Sequence, residues 1–204
     1  MDYRLEQWIN HPAGSHSLLD AMMIHAASWG EAIFIALIAV WFLVGWIRGL
    51  PRDRQGALTA LIGAGMELLV NQIILHLWAR PRPFVAHPET VHLLLRHATD
   101  PSFPSDHASP AFAIAGVLVL FHRRLGVLAL LVAAFMCYAR VYVGDHYPGD
   151  VAAGAVIGIV VAVILAIWLD NAMVVLRRLV DRLIRLLRLP LPASYRRSYT
   201  ARTE

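Results

Sequence analysis

AIFIALIAVWFLVGWI, from Ala32 to Ile47, carries no charge between Glu31 and Arg48. At about 1.5 Å per residue such a run, coiled as a helix, nearly crosses a hydrocarbon core of roughly 30 Å. The rest of the chain has the same character: of 204 residues, 58% are hydrophobic and only 16% charged, and the mean hydropathy is +0.58. That balance excludes an ordinary soluble domain. An all-α integral membrane protein follows, because helices satisfy their own backbone groups where lipid offers no partner.

Working outward, further spans are expected from about Leu58 to Trp78, Ala108 to Phe121, Leu125 to Ala139 and Val151 to Leu169. The last carries Gly154 and Gly158, a spacing that lets two membrane helices approach closely. Residues 17–30 read either as a short, tilted span or as an interfacial helix opened by Ser17 and Asp20. A span is preferred, giving a bundle of about six helices with both termini on one side. The leading MDYRLEQW mixes acids with arginine and has no apolar run directly behind it, so no cleaved signal peptide is expected.

The net charge of +4 does not point to nucleic acid, since the arginines sit in short connections and in the tail. Arg48, Arg52 and Arg54 mark one connection, Arg123 and Arg124 another, and Arg177, Arg178, Arg182, Arg185 and Arg188 begin the tail. Short basic loops stay cytoplasmic, so residues 80–106 and 140–150 are expected on the outer face. Residues 1–170 then form the membrane domain, and 171–204 a basic amphipathic tail along the inner membrane surface. Cys137 is the single cysteine, which rules out an intrachain disulfide or a cluster of thiolate ligands.

Three segments concentrate polar residues at this outer boundary, where burial without purpose is expensive. They are Arg80-Pro-Arg-Pro-Phe84, Pro104-Ser-Asp-His107 and the run from Arg140 to Asp150. Ser105 is placed to cap the third span, whose amino end would attract an anion. Pro148 suits the first turn of the fifth span, leaving His146 before the helix and Asp150 within it. An aspartate accepting from one imidazole nitrogen would leave the other able to attack. Arg82 and Arg140 are planar, permanently charged donors matched to phosphoryl oxygens. Singly, each residue could be a helix cap or an interfacial anchor; their joint arrival on one face points to an anion-handling site.

These segments resemble the motifs of the type 2 phosphatidic acid phosphatase family. Its Arg-x5-His-x3-Asp motif is met by Arg140, His146 and Asp150, its Pro-Ser-Gly-His motif appears as Pro104-Ser105-Asp106-His107, and its Arg-Pro ending as Arg82-Pro83. The lysine expected seven residues before that arginine falls at Leu75, beside His76. Both departures, with Arg82-Pro-Phe-Val-Ala-His87, look like the bacitracin-resistance type of undecaprenyl-diphosphatase.

The resemblance implies hydrolysis of undecaprenyl diphosphate without metal or cofactor, through a phosphohistidine on His146, with His107 as the acid and Arg82, Arg140 and Ser105 holding the oxygens. Arg80 would partly stand in for the lysine, and Asp106 would either orient an arginine or cap the helix. It further implies a bacterial plasma-membrane enzyme with its site outside, recycling the cell-wall lipid carrier and conferring bacitracin resistance. The partners would be lipids, with a homo-oligomer left open. Rival substrates are phosphatidic acid, phosphatidylglycerol phosphate and lipid A, and a non-enzymatic rival is a lipid carrier or scaffold.

Among weaker signals, Glu67, Asn71, Gln72 and His76 make the second span polar, most simply for hydrogen bonds between helices. His87, His92 and His97 read as loop residues.

Overall fold

The computed structural model describes residues 1–96, 99–168 and 170–186, and every regular element among them is helical: α1 (Asp2–Asn10), α2 (Ser17–Ile47), α3 (Pro51–Leu77), α4 (Pro83–Ala86), α5 (Ala108–Phe121), α6 (Arg123–Tyr142), α7 (Pro148–Trp168) and α8 (Asp170–Leu186). Leu169, the expected end of the fifth span, the loop residue His97, and the tail beyond residue 186, Arg188 included, lie outside the described residues. Helices α2, α3, α6 and α7 are long and apolar enough to cross a membrane, and α5 is a shorter apolar helix. Large apolar side chains such as Ile35, Leu69, Leu131 and Val156 remain exposed on the outside of the bundle, as a lipid-facing surface requires.

Residues 17–30 are not a separate span. They run without a break into the stretch from Ala32, making α2 one helix of 31 residues. Gly30 costs only about 1 kcal/mol inside a helix, and Glu31 is a good helix former, so neither ends it. With that crossing removed, α1 and α8 lie at opposite ends of the bundle. Asp2 in α1 bonds to Gly149 at the start of α7, whereas Asp181 in α8 pairs with Arg54 at the start of α3.

α5 is the central helix, packed on α3, α6 and α7. Its approach to α7 is as close as the glycine spacing implied: a methyl group at Gly158 would stand 2.3 Å from the Ser109 carbonyl oxygen. The same two helices are also joined near their amino ends. The Ser105 N–H donates to the Asp150 carbonyl at 3.2 Å. Beneath it, Asn71 of α3 donates to Ser109 Oγ at 3.1 Å, an interhelical bond of the kind expected there. His76 instead bonds within its own helix, to the Gln72 carbonyl at 2.6 Å.

Candidate active site

The segments before α5 and before α7 meet at one end of the bundle, and the Arg80–Pro83 segment closes over them. Gly144 makes this possible. Its φ of +83° turns the chain sharply after α6, a backbone region open to glycine at little cost. The turn aims Asp145 and His146 inward, where they are 0% and 1% exposed.

His146 is held on both sides. Its Nδ1 lies 3.0 Å from the Ser102 carbonyl oxygen, which can only accept, so Nδ1 carries the hydrogen and Nε2 keeps its lone pair. Nε2 stands 3.2 Å from Arg82 Nη1 and 3.4 Å from Ser105 Oγ. Burial, helped by the charges of Arg140 and Arg82 and opposed by Asp145, pulls the imidazole pKa down to about 3. The ring is therefore neutral at physiological pH, the form in which an imidazole is a nucleophile.

Asp150 stands one step back from the place its spacing suggested. Its Oδ2 is 3.7 Å from His146 Nδ1, too long for a hydrogen bond, and accepts instead from the Tyr147 N–H at 2.9 Å. The tautomer is set by a backbone carbonyl, with the aspartate as an anion behind it. Arg80 lies on this same side: it pairs with Asp150 Oδ1 and with Asp2 Oδ2, each at 2.7 Å, and covers the Tyr147 ring. Its contacts are with carboxylates on the Nδ1 side of His146 and not with the Nε2 face where the other two arginines gather.

Ser105 Oγ accepts from the N–H of Ala108, the first residue of α5, at 3.3 Å, from two positions before the helix's cap residue His107, whose own side chain makes no capping bond. Asp106 neither caps the helix nor hydrogen-bonds an arginine; its Oδ1 lies 3.0 Å from His107 Nδ1. Burial opposes its ionisation, but that bond and the charges of His107 and Arg82 outweigh burial and hold it well below the usual carboxylate range. His107 Nε2 has Glu31 Oε2 at 3.8 Å, and the two histidine rings sit 6.4 Å apart, edge to face. Asp106, His107 and His146 bring three potential ligand atoms within 4.8 Å of one another, a cluster invisible in the linear spacing. The Arg82 guanidinium beside Nε2 opposes a cation there.

Sequence reading passed over Asp145, although it lies inside the third motif. It bridges both arginines: Oδ1 accepts from Arg82 Nη1 at 2.8 Å, and Oδ2 pairs with Arg140 Nη2. Asp100 is a second missed partner of Arg82, through its carbonyl at 3.1 Å and its carboxylate at 3.2 Å. A buried arginine pair demands counter-charge, and that demand was the available signal. His87 stacks on Tyr3 of α1, and His92 exchanges two backbone bonds with Asn10.

From His107 and Glu31 an apolar groove of about 550 Å³ descends between α2, α3 and α5, past Phe34, Ile38, Leu61 and Ile114. A membrane-embedded helix bundle with buried arginines around a neutral histidine defines an anion-handling membrane protein. The sequence model of the PAP2 superfamily matches residues 56–173, and the chain belongs to that family of membrane phosphatases. It is 32% identical to undecaprenyl-diphosphatase BcrC of Bacillus subtilis over 91% of each chain. The crystal structure of Aquifex aeolicus LpxE superposes with a TM-score of 0.67 at 28% identity, covering 80% of this chain and 93% of that one. A transmembrane PAP2 type phosphatidylglycerolphosphate phosphatase from Bacillus subtilis shares the fold, with a TM-score of 0.62 at 22% identity over 80% of this chain and 83% of its own.

Proposed function

We propose that the protein hydrolyses undecaprenyl diphosphate to undecaprenyl phosphate and inorganic phosphate at the outer face of a bacterial plasma membrane. The observation that carries this reading is the junction of two unlike surfaces. A neutral imidazole with the Arg82 guanidinium beside it and Arg140 across the shared Asp145 suits a diphosphate, and the groove that starts at His107 and Glu31 suits an isoprenoid tail. The similarity to BcrC favours this lipid over other phospholipids.

In the first step His146 Nε2 attacks the terminal phosphorus, and the bond to the bridging oxygen breaks. His107 gives its proton to the departing lipid phosphate. Water then attacks the phosphohistidine, His107 takes a proton from it, and inorganic phosphate leaves with His146 restored. Arg82, Arg140 and Ser105 stabilise the charge on the transferred group, the main demand of a loose phosphoryl transition state. Asp150 and the Ser102 carbonyl keep Nε2 aimed.

Phosphate release from a panel of lipid diphosphates and monophosphates is the direct test. Preference for the polyprenyl diphosphate, with label trapped on His146 after a rapid quench, is the expected result. Equal or better turnover of phosphatidic acid, phosphatidylglycerol phosphate or lipid A would overturn the substrate, and label on no histidine the covalent step.

Sidedness rests on Arg48, Arg52, Arg54, Arg123 and Arg124 at the end of the bundle away from the site. A cysteine at the exposed His92, in a Cys137→Ser background, should react with an impermeant thiol reagent in intact cells. Labelling only after lysis would place the site inside and remove the carrier-recycling role and the bacitracin resistance that follows from it.

A further inference from the structure

Asp145 sits where a substrate's phosphoryl oxygens need to be. Its carboxylate spans Arg82 and Arg140, and its Oδ2 lies 3.6 Å from His146 Nε2. Reacting atoms in an attack-ready complex stand roughly 3 to 3.5 Å apart, so a phosphoryl group bound for attack and this carboxylate would draw on the same donors. Nothing in the mechanism above employs Asp145. Yet it is 0% exposed, and both guanidiniums beside it are nearly as deeply buried. Two bare arginines so close together and so far from water would repel each other and lose their hydration.

We propose that Asp145 is a built-in counter-anion of the phosphate cradle, which exchanges with phosphate on Arg82 and Arg140 and so limits how tightly the product is held. The idea rests on the reading of this cluster as a phosphoryl-transfer site. Between turnovers the carboxylate keeps the two arginines in place. When substrate arrives, the phosphate takes over the Arg140 and Arg82 contacts, with binding energy from the lipid tail to offset the exchange. After hydrolysis the remaining inorganic phosphate has no tail, and the returning carboxylate displaces it. A cradle without this residue would carry one more net positive charge and would release phosphate slowly.

The test compares wild type with Asp145→Asn and Asp145→Ser in detergent or nanodiscs, using inorganic phosphate as the probe in two ways. As an inhibitor of lipid diphosphate hydrolysis, phosphate should act at about tenfold lower concentration on Asp145→Asn, the size of effect expected from removing one adjacent charge, while kcat falls as release becomes limiting. As a ligand, it should raise the melting temperature of the variants more than that of wild type. If a variant is unstable when purified, added phosphate should restore it, because phosphate then supplies the missing anion. Unchanged or weaker phosphate inhibition, or an unstable variant that phosphate does not rescue, overturns the proposal. A wild type that hydrolyses no lipid phosphate or diphosphate would instead sink the underlying enzymatic reading.

Discussion

Both ends of the bundle bury arginines against aspartates, and they use them differently. At the end away from the site, Arg54 is 1% exposed and pairs with Asp181 of α8, which also receives Arg177. Nearby, His122 and Asp53 join α3 to the start of α6 at 2.6 Å. The Arg54–Asp181 and His122–Asp53 contacts tie helices together. At the site end, Arg82 and Arg140 share Asp145, and Arg82 and Asp145 both lie beside the nitrogen of a neutral imidazole. A buried ion pair is therefore weak evidence for function. Convergence of several such groups on one nucleophilic atom is stronger.

The largest effect separating the two ends should come from His146→Ala. Loss of a nucleophile that acts with its partners as a unit lowers kcat on the order of 10⁴-fold or more. The melting temperature should change little by comparison, since Arg82 and Ser105, which touch the ring along with the Ser102 carbonyl, keep Asp145, Asp100 and the Ala108 N–H as other partners. Loss of folding in step with loss of activity would put His146 in the same structural class as His122.

Next in size are the arginines. Arg82→Lys and Arg140→Lys keep the charge and lose the planar fork, and each should reduce kcat/KM by about 10² to 10³-fold. Arg54→Ala is the counterpart at the other end. Breaking a buried pair costs about 3 kcal/mol or more of stability, while activity per folded molecule should persist. If Arg54→Ala inactivated a folded enzyme, the distinction between the ends would fail.

How far this contrast could be read in the sequence follows the separation of the partners. Arg140, His146 and Asp150 are close along the chain, and Pro104 to His107 opens a helix, so their gathering at one end of the bundle was legible from spacing, although Asp150 stands a step behind the place that spacing suggested. Gly154 and Gly158 likewise announced a close helix crossing, and the folded bundle supplies α5 as the partner. Arg54 and Asp181 are far apart in sequence, and only the folded bundle brings them together. The continuous α2 was missed because polar residues near Gly30 and Glu31 imitate a boundary. Ser102 was missed because a backbone carbonyl leaves no trace in residue type. Asp145 was in view and unassigned, since its meaning depends on two arginines arriving from different segments.

A smaller effect tests the cover of the site end. Glu6 is fully buried in α1, and burial together with the charge of Asp2 raises its pKa to about 7. Its folded pKa is above the unfolded value of 4.5, so its contribution to stability is fully present below that value and is lost as pH rises toward 7. Glu6→Gln should remove this loss and leave the protein more stable than wild type at pH 8, by an amount on the order of 1 kcal/mol. Thermal melts of the two proteins between pH 4 and 8 would check it, and parallel curves would mean that α1 does not hold Glu6 protonated.

The smallest expected effect is that of a chelator. Asp106, His107 and His146 are close enough to suggest a cation site. Two features favour arginine over metal. Arg82 Nη1 lies within hydrogen-bond distance of His146 Nε2, so a cation using that nitrogen would sit against a guanidinium. The Asp106 carboxylate has His107 Nδ1 at 3.0 Å, the arrangement that holds an acid's proton and its direction. In the proposed reaction, charge on the transferred phosphoryl group is met by Arg82 and Arg140, the task a metal performs in other phosphatases. Activity after prolonged EDTA treatment and removal of the chelator should stay within about twofold of the starting value, a change too small to represent loss of a charge-stabilising group. Complete loss, restored by one divalent cation, would assign Asp106, His107 and His146 to that ion and require a different account of the arginines.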